Sequence, residues 1–290
     1  MDEQLKQKLE SDFPNLVIAE IKRIGEGWDN IAYLVNNEVV FRVPKKKTEE
    51  IAQEILDHTK TEIQFLKRIE GKLPVKSPSI KYVAEDKSYY GYTFASGGQV
   101  SFEEIKDKEG FVKLWIDTAM ALGKSMPLDD ATKMGVKQVS LNEYRLKRVK
   151  QVIDSKILDD ELHELAEYTL QNYLAVWNQA PQFILHGDPG LGNWVYDEPL
   201  NTYTLIDWSD ICIGPQEFQV YRLVNDMPDY VDLIIQYYFE KAGIEISQEL
   251  IFLCGYASIL SMLGAFMERG DEQGIRAKTK QLKFWKSLQG

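Results

Sequence analysis

The chain carries the stretch His186-Gly187-Asp188-Pro189-Gly190-Leu191-Gly192-Asn193, followed shortly by Leu205-Ile206-Asp207-Trp208-Ser209-Asp210. Between them lie two short runs of strand type, joined by residues that favour a turn. This arrangement predicts a β-hairpin. Residues equidistant from the turn of an antiparallel hairpin lie opposite each other. We therefore expect Asn193 and Asp207, which are symmetric about position 200, to meet at the open end of the hairpin.

Asp188 stands in the loop just before this hairpin. The pattern would bring together the amide oxygen of Asn193 and the carboxylates of Asp188 and Asp207. Hard oxygen ligands of this kind suit Mg²⁺ that is held together with substrate phosphates. The alternative is an acidic loop beside an ordinary hairpin.

The same residues resemble the catalytic loop of the aminoglycoside phosphotransferase family, a branch of the kinase fold. His186, Asp188 and Asn193 match its HxDxxxxN pattern, and Asp207 falls where the family keeps its second metal ligand. The resemblance implies that Asp188 accepts or orients the proton of the substrate hydroxyl, and that His186 helps to hold the loop. It also implies that Asn193 and Asp207 hold the Mg²⁺ ions that bridge the nucleotide phosphates.

Strand and turn signals in the first hundred residues predict an antiparallel meander, with a hairpin turn at Asn36-Asn37. Gly25 and Gly27 would let the backbone approach a phosphate closely, although glycines are also common in plain hairpins. The run from Gly25 to Tyr33 resembles the nucleotide-loop region of the 2″-modifying aminoglycoside phosphotransferases. The resemblance thus implies that both glycines border the nucleotide.

A helix is predicted from an N-cap at Thr48 to about Ile69. Glu62 lies in the middle of its apolar stripe, where an unpaired carboxylate is costly. The simplest partner is Arg42, on the strand before the helix, which stands where the family usually has a phosphate-binding Lys. We therefore expect an Arg42–Glu62 ion pair; the alternative is a surface arginine.

After two further predicted strands, Ala95-Ser96-Gly97-Gly98 is a flexible link and the best lobe boundary. We expect an N-terminal nucleotide-binding lobe over residues 1–95 and a C-terminal catalytic and substrate-binding lobe over residues 96–290. In the family this connection borders the nucleotide base, which implies that Tyr92 and Phe94 lie beside it. The predicted fold is α+β and two-lobed, resembling protein kinases, with an antiparallel-sheet N-lobe and a mainly helical C-lobe.

Helical spacing dominates the second lobe, with helices predicted over 111–126, 144–157 and 159–177. The segment 250–267 is uncharged over its whole length, which meets the lower limit for a membrane span. It contains Gly255 and Gly264 and stands alone in the chain. We therefore interpret it as a buried helix of the helical lobe and expect no membrane partner.

The chain has 290 residues and a net charge of −11, which argues against nucleic acid as the main partner. Its two cysteines make no disulfide framework, and the acidic N-terminus has no hydrophobic signal region. We expect a cytoplasmic monomer.

Several carboxylates lie near aromatic residues in the second half of the chain: Asp210, Asp226, Asp229 and Glu268. Carboxylates and aromatic faces suit a polycationic aminosugar, although such residues are equally often solvated helix ends. Asp210 is the best candidate, because it is three residues from Asp207. The resemblance also implies that Glu217, near the usual position of a family aspartate, braces the catalytic loop.

The resulting hypothesis is an Mg²⁺-dependent phosphotransferase that moves the γ-phosphoryl of ATP or GTP to a hydroxyl of an aminoglycoside, and so confers antibiotic resistance. Macrolides remain open as acceptors, because Phe41-Arg42-Val43-Pro44 and Ile206-Asp207-Trp208 also resemble macrolide phosphotransferases. Amino alcohols and sugars remain open too. The alternative to an enzyme is a catalytically silent, kinase-like protein that binds a nucleotide or drug.

Overall fold

The computed structural model describes residues 2–26, 30–45, 49–139, 143–243 and 245–289. The chain divides into two compact units. The first unit comprises Met1–Ser101, Lys124–Val136 and Gly192–Ile211, and the second comprises Phe102–Gly123, Lys137–Leu191 and Cys212–Gly290. The lobe limits 1–95 and 96–290 stay a prediction.

The strands are β1 (Ile21–Glu26), β2 (Asn30–Val35), β3 (Val39–Pro44), β4 (Ile80–Val83), β5 (Tyr90–Thr93), β6 (Gly98–Gln99), β7 (Lys137–Gln138), β8 (Phe183–Leu185), β9 (Trp194–Asp197), β10 (Thr202–Leu205) and β11 (Cys212–Gly214). The helices are α1 (Asp2–Asp12), α2 (Glu49–Ile69), α3 (Lys108–Gly123), α4 (Leu128–Lys133), α5 (Glu143–Ser155), α6 (Asp160–Trp177), α7 (Glu217–Asp226), α8 (Val231–Ala242), α9 (Gln248–Arg269) and α10 (Glu272–Ser287). The helices and strands expected from hydrophobic spacing are thus present, while the proposed N-cap Thr48 lies outside the described residues.

The main sheet of the first unit has the antiparallel order β1-β2-β3-β5-β4, which confirms the predicted meander. Asn36 and Asn37 form the tight turn between β2 and β3 with φ angles of 53° and 56°, as a primed hairpin turn requires. Period-2 alternation buries Phe41 and Tyr33 in one cluster with Leu9 of α1. The other face of β3 carries Arg42, which therefore remains available for polar contacts.

The predicted hairpin is formed by β9 and β10, whose paired residues run from Thr202 opposite Asp197 to Leu205 opposite Trp194. Four residues, 198–201, connect the two strands, so the hairpin is symmetric about the point between residues 199 and 200 and not about residue 200. Consequently Ile206 N donates to Asn193 O at 2.9 Å, and Asn193 lies opposite Ile206. The expected direct opposition of Asn193 and Asp207 was therefore wrong by one residue.

Backbone hydrogen bonds tie this hairpin to other parts of the first unit. Lys76 N donates to Tyr203 O, and Leu205 N donates to Lys76 O, both at 2.9 Å. On the other edge, β6 pairs with β9, and the Ser96 hydroxyl hydrogen-bonds the Asp197 carboxylate. The hairpin next to Asn193 and Asp207 is thus held by the same unit that contains β3 and α2.

Helix α9 lies at the centre of the second unit and packs against α5, α6, α7 and α10. Glycines allow this close packing: a Cβ at Gly255 would overlap the ring of Trp285, and one at Gly264 would lie 2.9 Å from the Arg148 carbonyl oxygen. Length and composition alone would let this helix cross a membrane, but most of it is buried by neighbouring helices. This is the environment of a core helix, as interpreted from the sequence.

Candidate active site

The HxDxxxxN loop begins where strand β8 ends. The side chain of His186 is fully buried, and its backbone N–H donates to Gln219 Oε1 on α7 at 3.3 Å. Its ring Nδ1 lies 3.4 Å from the backbone N–H of Asp188. The contacts of His186 therefore link the loop to α7 and to the start of its own turn; the functional role of the residue stays a prediction.

Two further contacts hold the backbone of the loop within the second unit. Trp115 Nε1 on α3 donates to Pro189 O at 2.9 Å, and Leu191 N donates to Asp226 Oδ2 at 2.8 Å. The bond to Asp226 is charge-assisted and hence among the stronger hydrogen bonds in proteins. The loop is thus fixed from α3 on one side and α7 on the other.

Within the described parts of the chain, Glu217 does not make the expected contact with the loop that carries Asp188. Its Oε1 accepts from Ser247 N at 2.9 Å, before α9. On α7, the side chains of Gln219 and Asp226 accept hydrogen bonds from the loop backbone. Both residues lie further along the helix than Glu217. The expectation that Glu217 braces the catalytic loop was therefore wrong. Burial raises the pKa of Glu217, while the Ser247 N–H opposes the shift.

In the first unit, Arg42 bridges two carboxylates. Its Nη1 lies 2.9 Å from Glu62 Oε1 and 3.0 Å from Asp207 Oδ1. The predicted Arg42–Glu62 ion pair is thus confirmed, and its side chains are only 13% and 7% exposed. Helix α2 supplies Glu62 from its buried face, and β3 supplies Arg42.

Burial of the Arg42–Glu62 pair affects the pKa values of both side chains. Burial raises the pKa of Glu62, and the neighbouring Arg42 opposes that shift. For Arg42, burial acts to lower the pKa, but Glu62 and Asp207 contribute to a net value well above the ordinary one. Arg42 therefore stays protonated, and it forms a fixed cation between β3 and the end of the β9–β10 hairpin.

The backbone of Asp207 is in the left-handed region, with φ 59° and ψ 72°. Such a conformation is uncommon for a non-glycine residue and is enriched at functional sites. Ser209 Oγ and Arg42 Nη1 both donate to Asp207 Oδ1 at 3.0 Å. Asp207 and the nearby Asn193 offer hard oxygen donors, a set that fits Mg²⁺. Asp188, in contrast, belongs to the second unit.

Sequence reasoning did not find the packing role of Trp208. The indole is buried, and its Nε1 donates to Leu205 O at 2.8 Å. The ring centroids of Trp208 and of Phe65 on α2 are 6.0 Å apart. An aromatic pair of this kind contributes about 0.5–1.5 kcal/mol beyond its buried area. Trp208 therefore fixes the turn after Asp207 against the helix that carries Glu62. An indole directly after Asp207 in the sequence was the available signal.

The residues predicted to border the nucleotide all belong to the first unit. Gly25 lies in β1 at an irregularity of its pairing with β2, and Gly27 lies outside the described residues. Tyr92 lies on β5, and burial raises its pKa to about 12. Phe94 directly follows β5, is 37% exposed, and donates its N–H to Glu38 O. Contact of these residues with a nucleotide stays a prediction.

The carboxylates predicted to bind a substrate belong to both units. Asp210 belongs to the first unit and is exposed, as is Asp229 in the second. Asp226 is engaged by the loop backbone, and Glu268 pairs with Arg148 at 3.0 Å. Their role in substrate binding stays a prediction.

A basic group near Asp188 was also missed. Arg222 Nε lies 3.2 Å from Asp188 Oδ1. In the sequence, Arg222 is one polar residue of an amphipathic helix and matches no motif. The available signal was its spacing of four residues from Asp226, which places both residues on the same face of α7.

A family model described as the phosphotransferase enzyme family matches residues 20–250. The fold is similar to that of aminoglycoside 2'-phosphotransferase-IIIa in its GDP complex, with a TM-score of 0.77, 20% identity and coverage of 99% of each chain. It is also similar to the streptomycin–ATP ternary complex of APH(2")-IIa, with a TM-score of 0.67, 18% identity and coverage of 97% of this chain and 98% of that chain.

A third similar structure is macrolide 2'-phosphotransferase MphH from Brachybacterium faecium, in its apoenzyme form. Its TM-score is 0.69 at 15% identity, with coverage of 97% of this chain and 98% of that chain. At these identities the similarities establish the fold. They confirm the predicted two-lobed, kinase-like α+β fold with an antiparallel-sheet lobe and a mainly helical lobe.

Proposed function

Because the chain belongs to the phosphotransferase enzyme family, we propose that it transfers the γ-phosphoryl group of ATP or GTP to a hydroxyl of a small-molecule acceptor. The observation that carries the proposal is the Arg42 bridge between Glu62 and Asp207. Catalysis of phosphoryl transfer consists mainly of positioning and of charge stabilisation, so a pre-positioned cation is what the reaction needs.

The roles follow from the chemistry of each side chain. Asp188 accepts the proton of the acceptor hydroxyl as its oxygen attacks the γ-phosphorus. Arg42 binds nucleotide phosphate oxygens while Glu62 holds the guanidinium in place. Asn193 and Asp207 are the residues that would hold Mg²⁺, which neutralises the charge of the nucleotide phosphates when it is bound.

The nucleotide would lie along the first unit. Gly25 and Gly27 would follow its phosphates, and Tyr92 and Phe94 would border its base. His186 would maintain the loop that carries Asp188, which its buried position and its contact with the Asp188 N–H support.

For the acceptor, two classes have support. An aminoglycoside is supported by the net charge of −11 and by Asp210, Asp226, Asp229 and Glu268. In that case the enzyme confers antibiotic resistance, acting as a cytoplasmic monomer. The Arg222 guanidinium beside Asp188 favours a different acceptor, one that carries an anionic group.

The test is a coupled assay of nucleoside-diphosphate release with ATP and GTP in parallel, with and without Mg²⁺. The acceptor panel contains aminoglycosides, macrolides, amino alcohols and sugars. Asp188→Asn is the matched variant, because it preserves the size of the side chain and removes the proton acceptor. We expect acceptor-dependent release that is lost in Asp188→Asn. Nucleotide binding without transfer to any acceptor contradicts the proposal and favours the silent binding protein.

A further inference from the structure

One cation of the second unit lies beside the proposed base, and a second is linked to the same loop by hydrogen bonds. Arg222 Nε is 3.2 Å from Asp188 Oδ1. The guanidinium carbon lies 5.0 Å from the ring centroid of the adjacent Tyr221, and the hydroxyl of Tyr221 donates to Ser258 Oγ at 3.0 Å. Stacking on an anchored ring restricts the guanidinium, so Arg222 presents its charge beside Asp188 in a defined position.

The second cation is Lys278 on α10. Burial lowers the pKa of Lys278, and the charge of Arg222 lowers it further. Its Nζ donates to Gln281 Oε1 at 2.7 Å. Across the parts of the chain that the structure describes, no carboxylate forms an ion pair with this ammonium. A half-buried ammonium near a like charge is unfavourable unless an anion compensates it.

Lys278 is also connected to the catalytic loop. Gln281 Nε2 donates to Asn225 Oδ1 at 2.6 Å, and Asn225 Nδ2 donates to Asp226 Oδ1 at 3.1 Å. Asp226 in turn accepts from Leu191 N. A continuous series of hydrogen bonds therefore fixes Lys278 relative to the loop that carries Asp188.

Two of the carboxylates predicted to bind a substrate already have partners within the second unit. Asp226 accepts from a loop amide and from Asn225, and Glu268 is paired with Arg148. Asp188 itself is assigned to the acceptor hydroxyl. A cationic acceptor group close to Arg222 and Lys278 would meet like charge, which disfavours its binding there.

We infer that the acceptor carries an anionic group, a carboxylate or a phosphate, close to its reactive hydroxyl, and that Arg222 and Lys278 bind this group. The inference rests on the proposed function and names the acceptor class for that site. A guanidinium has five N–H donors, so its contact with Asp188 is compatible with simultaneous binding of a second carboxylate or phosphate. An anion bound by both residues would offset the repulsion between the Arg222 guanidinium and the Lys278 ammonium.

The kinetic test uses three acceptors of similar size that differ in charge: glucuronate, glucose and glucosamine. We expect the largest kcat/KM for glucuronate. Lys278→Met should raise its KM by about tenfold, the usual scale for the loss of a charge-assisted contact, and leave the KM of the nucleotide unchanged. Lys278→Arg should retain most of the preference. The matched control is Lys280→Met, because Lys280 is an exposed lysine on the same helix.

Calorimetric titration of glucuronate in the absence of nucleotide separates this inference from the proposed function. We expect Lys278→Met to weaken glucuronate binding by about tenfold and Lys280→Met to leave it unchanged. That result without transfer from any nucleotide supports the anion site and contradicts the phosphotransferase. Equal use of glucosamine and glucuronate, no binding of glucuronate, or identical behaviour of the two methionine variants overturns the inference.

Discussion

Replacing Glu62 by Gln separates the catalytic role of the Arg42 bridge from its contribution to stability. The amide keeps an acceptor for Arg42 Nη1, 2.9 Å away in the wild type, but removes the negative charge. Arg42 then retains only Asp207 as a charged partner, at 3.0 Å. We expect Arg42 to shift toward Asp207, away from the position proposed for phosphate binding, and to compete for that carboxylate with the proposed Mg²⁺.

The expected loss of stability is small. Breaking a buried ion pair usually costs about 3–5 kcal/mol, because it leaves a charge unpaired. Here Asp207 remains beside Arg42, and the desolvation that raises the pKa of Glu62 is relieved. We therefore expect Glu62→Gln to lower the free energy of unfolding by about 1–2 kcal/mol. Tm would fall by about 2–6 °C, and a domain with about 5 kcal/mol of stability would remain more than about 99% folded.

The expected loss of activity is larger. Misplacing one group that stabilises transition-state charge typically costs about 100-fold in rate, or about 2.7 kcal/mol. The assay compares kcat/KM for the nucleotide with the Tm measured by calorimetry. Asp57→Asn is the matched control, because it removes a charge from an exposed position of the same helix. An activity that falls no further than the folded fraction, or equally in Asp57→Asn, refutes the reasoning and leaves Glu62 a structural residue.

Three other substitutions test neighbouring contacts. Asp207→Asn should raise the Mg²⁺ concentration needed for half-maximal rate by about tenfold or more, which a metal titration measures; an unchanged requirement excludes Asp207 as a ligand. Asp226→Asn should weaken the bond to Leu191 N and lower kcat by about tenfold; a change confined to the KM of the acceptor instead indicates substrate contact. Burial raises the pKa of Glu217, so its stabilising contribution is complete below the unfolded pKa and is lost as the pH rises through the folded pKa. Glu217→Gln keeps an acceptor for Ser247 N. Denaturant unfolding should show the variant gaining stability relative to wild type as the pH rises from the unfolded pKa of Glu217 through its folded pKa; a constant difference contradicts the assignment.

Local patterns were sufficient for several features of this protein. Alternating hydrophobicity predicted the meander, and the two runs beside the turn predicted the β9–β10 hairpin, because side-chain period and turn chemistry are properties of neighbouring residues. The Arg42–Glu62 pair was also predictable. A carboxylate in the apolar stripe of a helix must find a cation, and Arg42 was the nearest candidate on a neighbouring strand.

Other features depend on contacts between residues that are distant in the sequence. The sequence could not show that Arg42 also reaches Asp207, that Trp208 packs against Phe65, or that Asp188 is paired with Arg222. These distances arise from the packing of whole elements, and no local pattern encodes them.

The amino-acid sequence alone therefore determined the elements and the family resemblance. Each of these depends on residue type and short-range spacing. Only the tertiary structure decided the one-residue register of the hairpin, the partner of Glu217, and the pairing of Arg222 with Asp188. Long-range packing fixes which charges become neighbours, and the energy of a charge depends on its neighbours and its burial.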